Sequence, residues 1–234
     1  MEPSATAQEL DIDQLQEQAR RHLWMHFSRM GAYDAEHEIP IIARGDGAYV
    51  WDAHGKKYLD GLSGLFCVNA GHGRPELAEA AARQFEELEF YVLWSYAHPR
   101  AIELATKIAD LAPGDLNRVF FTNGGAESVE SALKLARNYH RMHGHGQKTK
   151  VIARKIAYHG TTLGALSATG VTEMKAQFEP VAPGAVHVAN TNMYRYPEDR
   201  DPIDLANAIE EAIAFEGAET AQAYEKLITK VRAA

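Results

Sequence analysis

Apolar residues at Ile12, Leu15, Ala19, Leu23, Met25 and Phe27 recur at steps of mainly three or four. That spacing predicts a helix from Asp11 to about Ser28, with Asp11 or Asp13 placed to cap it. Residues 1–10 read as a loose tail. The period then shortens. Ile39 to Arg44 reads as an extended segment, Gly45–Gly47 as a turn, Tyr49–Asp52 as a strand, His54-Gly55 as a second turn and Tyr58–Asp60 as a returning strand. Glycines at such turns take positive φ at little cost, so a small antiparallel meander is expected. Helical spacing returns from Pro75 to about Phe90, with proline at the first helical position. It recurs over Arg100–Leu111, where Pro113-Gly114 ends it. From there strand and helix alternate. The predicted strands are Arg118–Phe121, Lys150–Ala153 and Val186–Val188. The predicted helices run over Ala126–Met142, just after Tyr158–Gly160, and over Ile203–Phe215. This alternation predicts βαβ units on a mainly parallel sheet.

Composition narrows the class of partner. The chain has 234 residues, 24 Lys plus Arg against 32 Asp plus Glu, and a formal net charge of −8. An acidic balance argues against a general nucleic-acid or anionic-membrane binder. No run of about 18 apolar residues offers a membrane span. Met1 to Asp13 is polar and acidic, unlike a secretory signal, so a cytoplasmic protein is expected. The single cysteine, Cys67, allows no internal disulfide and reads as a small buried hydrophobe. Among the 11 histidines, His140, His143 and His145 form the one tight group. A helix end followed by a glycine loop holds three imidazoles poorly, so no metal site is expected and a cationic helix cap is the simpler role.

The most informative stretch runs from Phe120 to Arg137, where a predicted strand meets Gly124-Gly125 and then a long helix. The first N–H groups of a helix lack partners and carry the positive end of its dipole. Two glycines there let a phosphate approach the backbone, although a glycine-allowed turn without a ligand has the same pattern. The phosphate-loop pattern GxxxxGK[ST] and the dinucleotide pattern GxGxxG are both absent, which leaves a nucleotide-binding protein a distant third possibility. Tyr158 follows the strand at 150–153, at the end where ligands of open α/β sheets sit. Its ring can stack on a flat ligand or serve as a half-buried core tyrosine.

Taken in order, these segments resemble the class III (ω-type) aminotransferases, which use pyridoxal phosphate. Gly47 to Gly61 is similar to that family's N-terminal meander and Gly64 to Pro75 to the loop after it. Phe120 to Arg137 is similar to its phosphate-cup strand and helix, and Tyr158–Gly160 to its ring-stacking motif. The resemblance covers roughly residues 15–215. It implies an α/β fold: a partial aspartate-aminotransferase-like large domain (fold type I) with an N-terminal helix and a small antiparallel meander. The divisions it implies are residues 1–75 (helix and meander, part of a small domain), 76–217 (partial cofactor-binding domain) and 218–234 (an atypical helical tail). Gly125 and Ala126 would hold the cofactor phosphate through backbone N–H groups, with Asn123 and Gly124 shaping the turn. Where Ala126 stands, many relatives carry Ser and its extra hydrogen bond. Tyr158, with His159 beside it, would lie against the pyridine ring. Phe66, where many relatives carry Trp, would wall the substrate pocket together with Trp94, which lies in a segment that nears the dimer interface in relatives.

The resemblance further implies transamination between an amine or ω-amino acid and a 2-oxo acid, in a homodimer when full length. That chemistry needs a Schiff-base lysine and an acidic partner for the pyridinium nitrogen. Both lie later in the family than the matching stretch. After Gly217 to Ala221, where an apolar strand is expected, Gln222 to Arg232 has helical period. Lys226 and Lys230 fall on what reads as a solvated amphipathic helix, unsuited to a desolvated amine. The expectation is therefore a truncated chain with no catalytic residue assigned and no activity alone. The alternative is a catalytically dead module that pairs with a full-length homologue.

Overall fold

The computed structural model describes residues 10–195 and 201–221. The predicted helical tail after Ala221, with Lys226 and Lys230, lies outside the described residues, as do residues 1–9 of the loose tail. The chain divides into two compact units, Met1–Ile102 and Glu103–Ala234.

The first unit opens with α1 (Ile12–His22), capped by the Asp11 carboxylate, which accepts from Gln14 N–H at 2.9 Å. The helix stops six residues before the expected Ser28, at Leu23 in extended conformation; beyond it Trp24 and Phe27 are exposed, so no packing rewards continuing the helix. Its one buried residue is Gln16. The Gln16 amide donates to Ile39 C=O at 2.8 Å and accepts from Ile39 N–H at 3.0 Å, so a side chain completes the backbone pairing of the next segment.

The expected meander is present as β1 (Ile42–Asp46), β2 (Tyr49–Asp52) and β3 (Lys57–Leu59), all antiparallel. Its first turn falls at Gly47-Ala48, because Gly45 and Asp46 pair within β1. Cations lie over its aromatic rings: Arg44 over Trp51 at 3.6 Å and Lys57 over Tyr49 at 3.8 Å. Such stacking contributes on an exposed sheet face where no core does. Gly47 exchanges two backbone hydrogen bonds with His72, and the His72 ring lies where a Cβ on Gly45 would stand.

Between meander and loop runs α2 (Ser63–Phe66), one turn with φ of 51°, 57°, 63° and 67° at its four residues. This is a left-handed turn, costing about 1–2 kcal/mol at each non-glycine position. Asp60 anchors it, accepting from Gly64 N–H at 2.8 Å and Leu62 N–H at 3.3 Å, while His72 Nε2 meets the same carboxylate at 2.8 Å. The His72 bond, with the Gly64 and Leu62 N–H groups, holds the Asp60 carboxyl below the usual range. Cys67 is exposed at the end of this turn rather than buried as expected, because the left-handed path turns its Sγ outward to Leu65 C=O at 3.4 Å. Then α3 (Pro75–Leu88) and α4 (Pro99–Leu111) follow, close to their predicted bounds.

The second unit carries α5 (Gly125–Met142), β4 (Val151–Arg154), α6 (Leu163–Ala168), α7 (Thr172–Lys175), β5 (Ala185–Val188) and α8 (Pro202–Glu216). Strands β4 and β5 pair in parallel, from Val151↔Ala185 to Arg154↔Val188, as the alternation predicts. Among the described residues the core of this unit is small: Ala153 and Val188 from the sheet, Ala165, Leu166 and Ala168 from α6, Leu205 from α8, and Ala221. Arg154 ties the layers, donating to Ala189 C=O at 2.8 Å and Leu205 C=O at 2.7 Å.

One predicted strand is absent. Arg118–Phe121 pairs with nothing among the described residues, and Phe120 is 80% exposed. Its residues favour a strand, but a strand exists only against a partner that fills its N–H and C=O groups. No helix among the described residues is long and apolar enough to cross a membrane.

Candidate functional site

The start of α5 is the centre of the site. Its N-cap, Gly124, makes no side-chain capping bond. Ser128 N–H closes the first turn on Gly124 C=O at 3.0 Å, and Thr122 Oγ1 lies 3.2 Å from the same oxygen. Glu127 reaches back past the N-cap and accepts from Asn123 N–H at 3.0 Å. The N–H groups of Gly125 and Ala126 have no acceptor among the described residues, and a Cβ at Gly124 or Gly125 would meet nothing within 4 Å. Space is thus free at both glycine Cβ positions, beside two unpaired donors at the positive end of an 18-residue helix. That is what a phosphate dianion needs.

A second segment is seated against this start. Gly160 has φ +128°, and a Cβ there would come within 2.6 Å of the Ala126 Cβ. Only a glycine fits, so the segment from Tyr158 to Gly160 is brought onto the first turn of α5. The backbone behind it is fixed by Thr169, fully buried. Its Oγ1 accepts from His159 N–H at 3.0 Å and donates to Gly160 C=O at 3.1 Å. Tyr158 itself is 56% exposed, so it is a free aromatic face and not a core tyrosine. His159 contributes backbone to this arrangement.

The structure therefore brings the segment Tyr158–Gly160 to the Gly124–Ala126 turn through the Gly160–Ala126 contact. Phe66 and Trp94 belong to the first unit, where they are 71% and 83% exposed, Phe66 on the left-handed turn. The histidine group resolves into separate roles. His143 caps α5, its Nδ1 2.8 Å from Tyr139 C=O, while burial and then nearby Lys148 push His140 below its ordinary value, away from a cationic role. Among the described residues no group of three or more His, Cys, Asp or Glu could hold a metal ion.

The family model of class-III aminotransferases matches residues 31–224. The chain belongs to this family. A probable aminotransferase of Mycobacterium tuberculosis is 55% identical over 207 residues, 87% of this chain and 44% of that protein. An (S)-enantioselective omega-transaminase from Thermomicrobium roseum superposes with a TM-score of 0.85 at 40% identity, over 92% of this chain and 48% of that one. The omega transaminase of Pseudomonas jessenii, solved in complex with PMP, gives 0.84 at 33% identity, over 89% and 47%. This class-III aminotransferase chain thus spans less than half the length of these relatives, and its fold is that of fold-type-I transaminases.

Sequence reasoning missed two features of this candidate site and one of the first unit. Glu130, on the second turn of α5, accepts from Thr162 Oγ1, Gly164 N–H and Ala165 N–H. Gly160 and Gly164 are glycines for close approach, not for turns. The left-handed turn that carries Phe66 was also missed. The signal for the first two was the Thr162-x-Gly164 spacing after Tyr158-His-Gly160, with a carboxylate one turn beyond the glycine pair.

Proposed function

We propose that the protein serves transamination between an amine or ω-amino acid and a 2-oxo acid, with pyridoxal phosphate as carrier, and that this chain supplies the phosphate cup and the ring-stacking face. One observation carries the proposal: the uncapped Gly124-Gly125 start of α5, with Gly160, two residues after Tyr158, packed against its Ala126. The donor set fits the cofactor. Gly125 and Ala126 N–H groups bind the phosphate, and the absent Cβ atoms admit it. The exposed ring of Tyr158 flanks the pyridine. When bound, the cofactor supplies the electron sink that lets an amine's α-proton leave. These residues bind and orient it, and none of them moves that proton.

The lysine and the pyridinium carboxylate of the family have no counterpart in the matching stretch, so the 234-residue chain alone should bind the cofactor without turning over. Titrating the chain with pyridoxal phosphate, with inorganic phosphate as competitor, tests the cup. Borohydride reduction and peptide mapping test the lysine. The expected result is saturable, phosphate-competed binding with no single labelled lysine. One labelled lysine together with amine-to-oxo-acid turnover would end the claim of inactivity; absence of saturable binding would end the cup.

A further inference from the structure

Resting on the cup just proposed, we infer that Glu130 is a positioning residue for the ring face of the site: it clamps the start of α6 to α5 and so fixes Tyr158 relative to the phosphate donors. Three donors converge on its Oε1, Thr162 Oγ1 at 2.8 Å, Gly164 N–H at 2.8 Å and Ala165 N–H at 3.3 Å. Gly164 and Ala165 form the first turn of α6, and Thr162 is its N-cap, yet Thr162 makes no capping bond of its own. A carboxylate from the neighbouring helix does that work, where its charge also meets the positive end of α6.

The approach is possible because residue 164 is glycine, since a Cβ there would collide with the Glu130 carboxylate. The far end of α6 is held as well, through His187 Nε2 on β5 and Ala168 C=O at 3.1 Å. With α6 fixed at both ends, the short segment from Tyr158 to Thr162 has its downstream end set by Glu130 and its middle set by the Gly160–Ala126 contact. Glu130 and Ala126 stand on the same helix, one turn apart, so the phosphate donors and the aromatic face share one rigid reference. The Thr162 hydroxyl, joined by the two N–H groups, holds the Glu130 carboxyl below the usual range and keeps it ionised as an acceptor.

A clamp of this kind acts on the ring and leaves the phosphate alone, which gives the test. The full 234-residue chain is compared with Glu130→Ala, Glu130→Gln and the milder Thr162→Val, using pyridoxal phosphate and inorganic phosphate as separate probes. Glu130→Ala should weaken pyridoxal phosphate about tenfold while phosphate stays within about twofold. The induced circular dichroism of the bound ring should fall with it, since that signal depends on a fixed aromatic neighbour. Glu130→Gln keeps one carbonyl acceptor and should recover most of the affinity, and Thr162→Val should lie between. Equal losses for both probes would show a role in folding only and overturn the inference, as would an unchanged ring signal in Glu130→Ala. If the unaltered chain binds neither probe, the cup itself is wrong and the inference falls with it; binding by the unaltered chain without a Glu130 effect removes the inference alone.

Discussion

Two glycines of the second unit differ in what they allow. At Gly170 a Cβ would be driven into the Arg154 carbonyl and the Lys155 backbone, which cannot move aside as a side chain can. Gly170→Ala should therefore cost about 3 kcal/mol in a urea unfolding titration. Gly125 faces open space, and alanine is the better helix former, so Gly125→Ala should leave stability within about 1 kcal/mol yet weaken phosphate binding, because the new methyl group stands before the donors. Equal stability losses in the two variants would contradict this assignment. His187 gives a titration that can be followed. Burial, then the charge of Lys175, pushes its imidazole below the ordinary value, against bonds to the Ala168 and Thr169 backbone, with His159 adding a minor push in the same direction. The folded chain thus refuses a proton that the unfolded chain accepts near pH 6.5. The neutral ring's contribution is complete above that value and is lost as pH falls towards the folded one. Urea midpoints should drop as pH falls below about 6.5, and His187→Gln, which keeps a donor for Ala168, should flatten that slope. An identical slope in the variant would show that other groups set it.

The elements differ in how far the sequence specifies them. Helix α1 is strongly amphipathic, but its link to the meander is one amide, the Gln16–Ile39 pair. Gln16→Leu leaves both backbone groups of the 3%-exposed Ile39 without partners and should cost about 2–3 kcal/mol, seen as faster proteolysis between α1 and β1. Glu17→Ala breaks only the exposed pair with Arg21 at 3.2 Å and should change stability by less than about 0.5 kcal/mol. If the two substitutions cost the same, the amide is not the anchor. Helix α3 is readable because proline marks its first turn and apolar spacing carries it, and α8 from its apolar spacing over Ile203–Phe215. The meander was readable from its alternation and glycines. The left-handed turn at Ser63–Phe66 was not, because Ser, Leu and Phe carry no preference for positive φ; it depends on Asp60, His72 and Gly64 meeting at one carboxylate. Arg118–Phe121 shows the opposite failure. Its composition specifies a strand, but composition cannot specify the partner. In the same way Gly124-Gly125 and Tyr158 were readable as candidates, whereas the clamp at Glu130 depends on a contact between residues 32 to 35 positions apart.

On the scale of the chain, the helices are amphipathic but poorly covered. Among the described residues α3, α4 and α5 contain no buried residue. Leu111 is 79% exposed, Leu135 70%, Phe120 80% and Phe215 90%. The segment at 90–96 adds Phe90, Trp94 and Tyr96, each more than half exposed. Scattered single apolar residues on a surface are ordinary, but whole amphipathic faces without cover favour association. Against that stands the net charge of −8, which makes two copies repel at low ionic strength. The balance is set by salt, because a Debye length near 10 Å at about 0.1 M confines charge repulsion to short range while apolar contact is untouched. The 234-residue chain should therefore bind 8-anilinonaphthalene-1-sulfonate with a strong fluorescence rise even at neutral pH, without denaturant. In sedimentation velocity it should shift to larger species as salt is raised from about 0.01 to 0.3 M. A helix-face substitution such as Leu135→Glu should lower both signals, since it removes apolar area and adds repulsion together. A chain that stays monomeric across that salt range, with dye fluorescence no higher than a compact globular protein gives, would show that these faces are covered in solution and overturn the prediction.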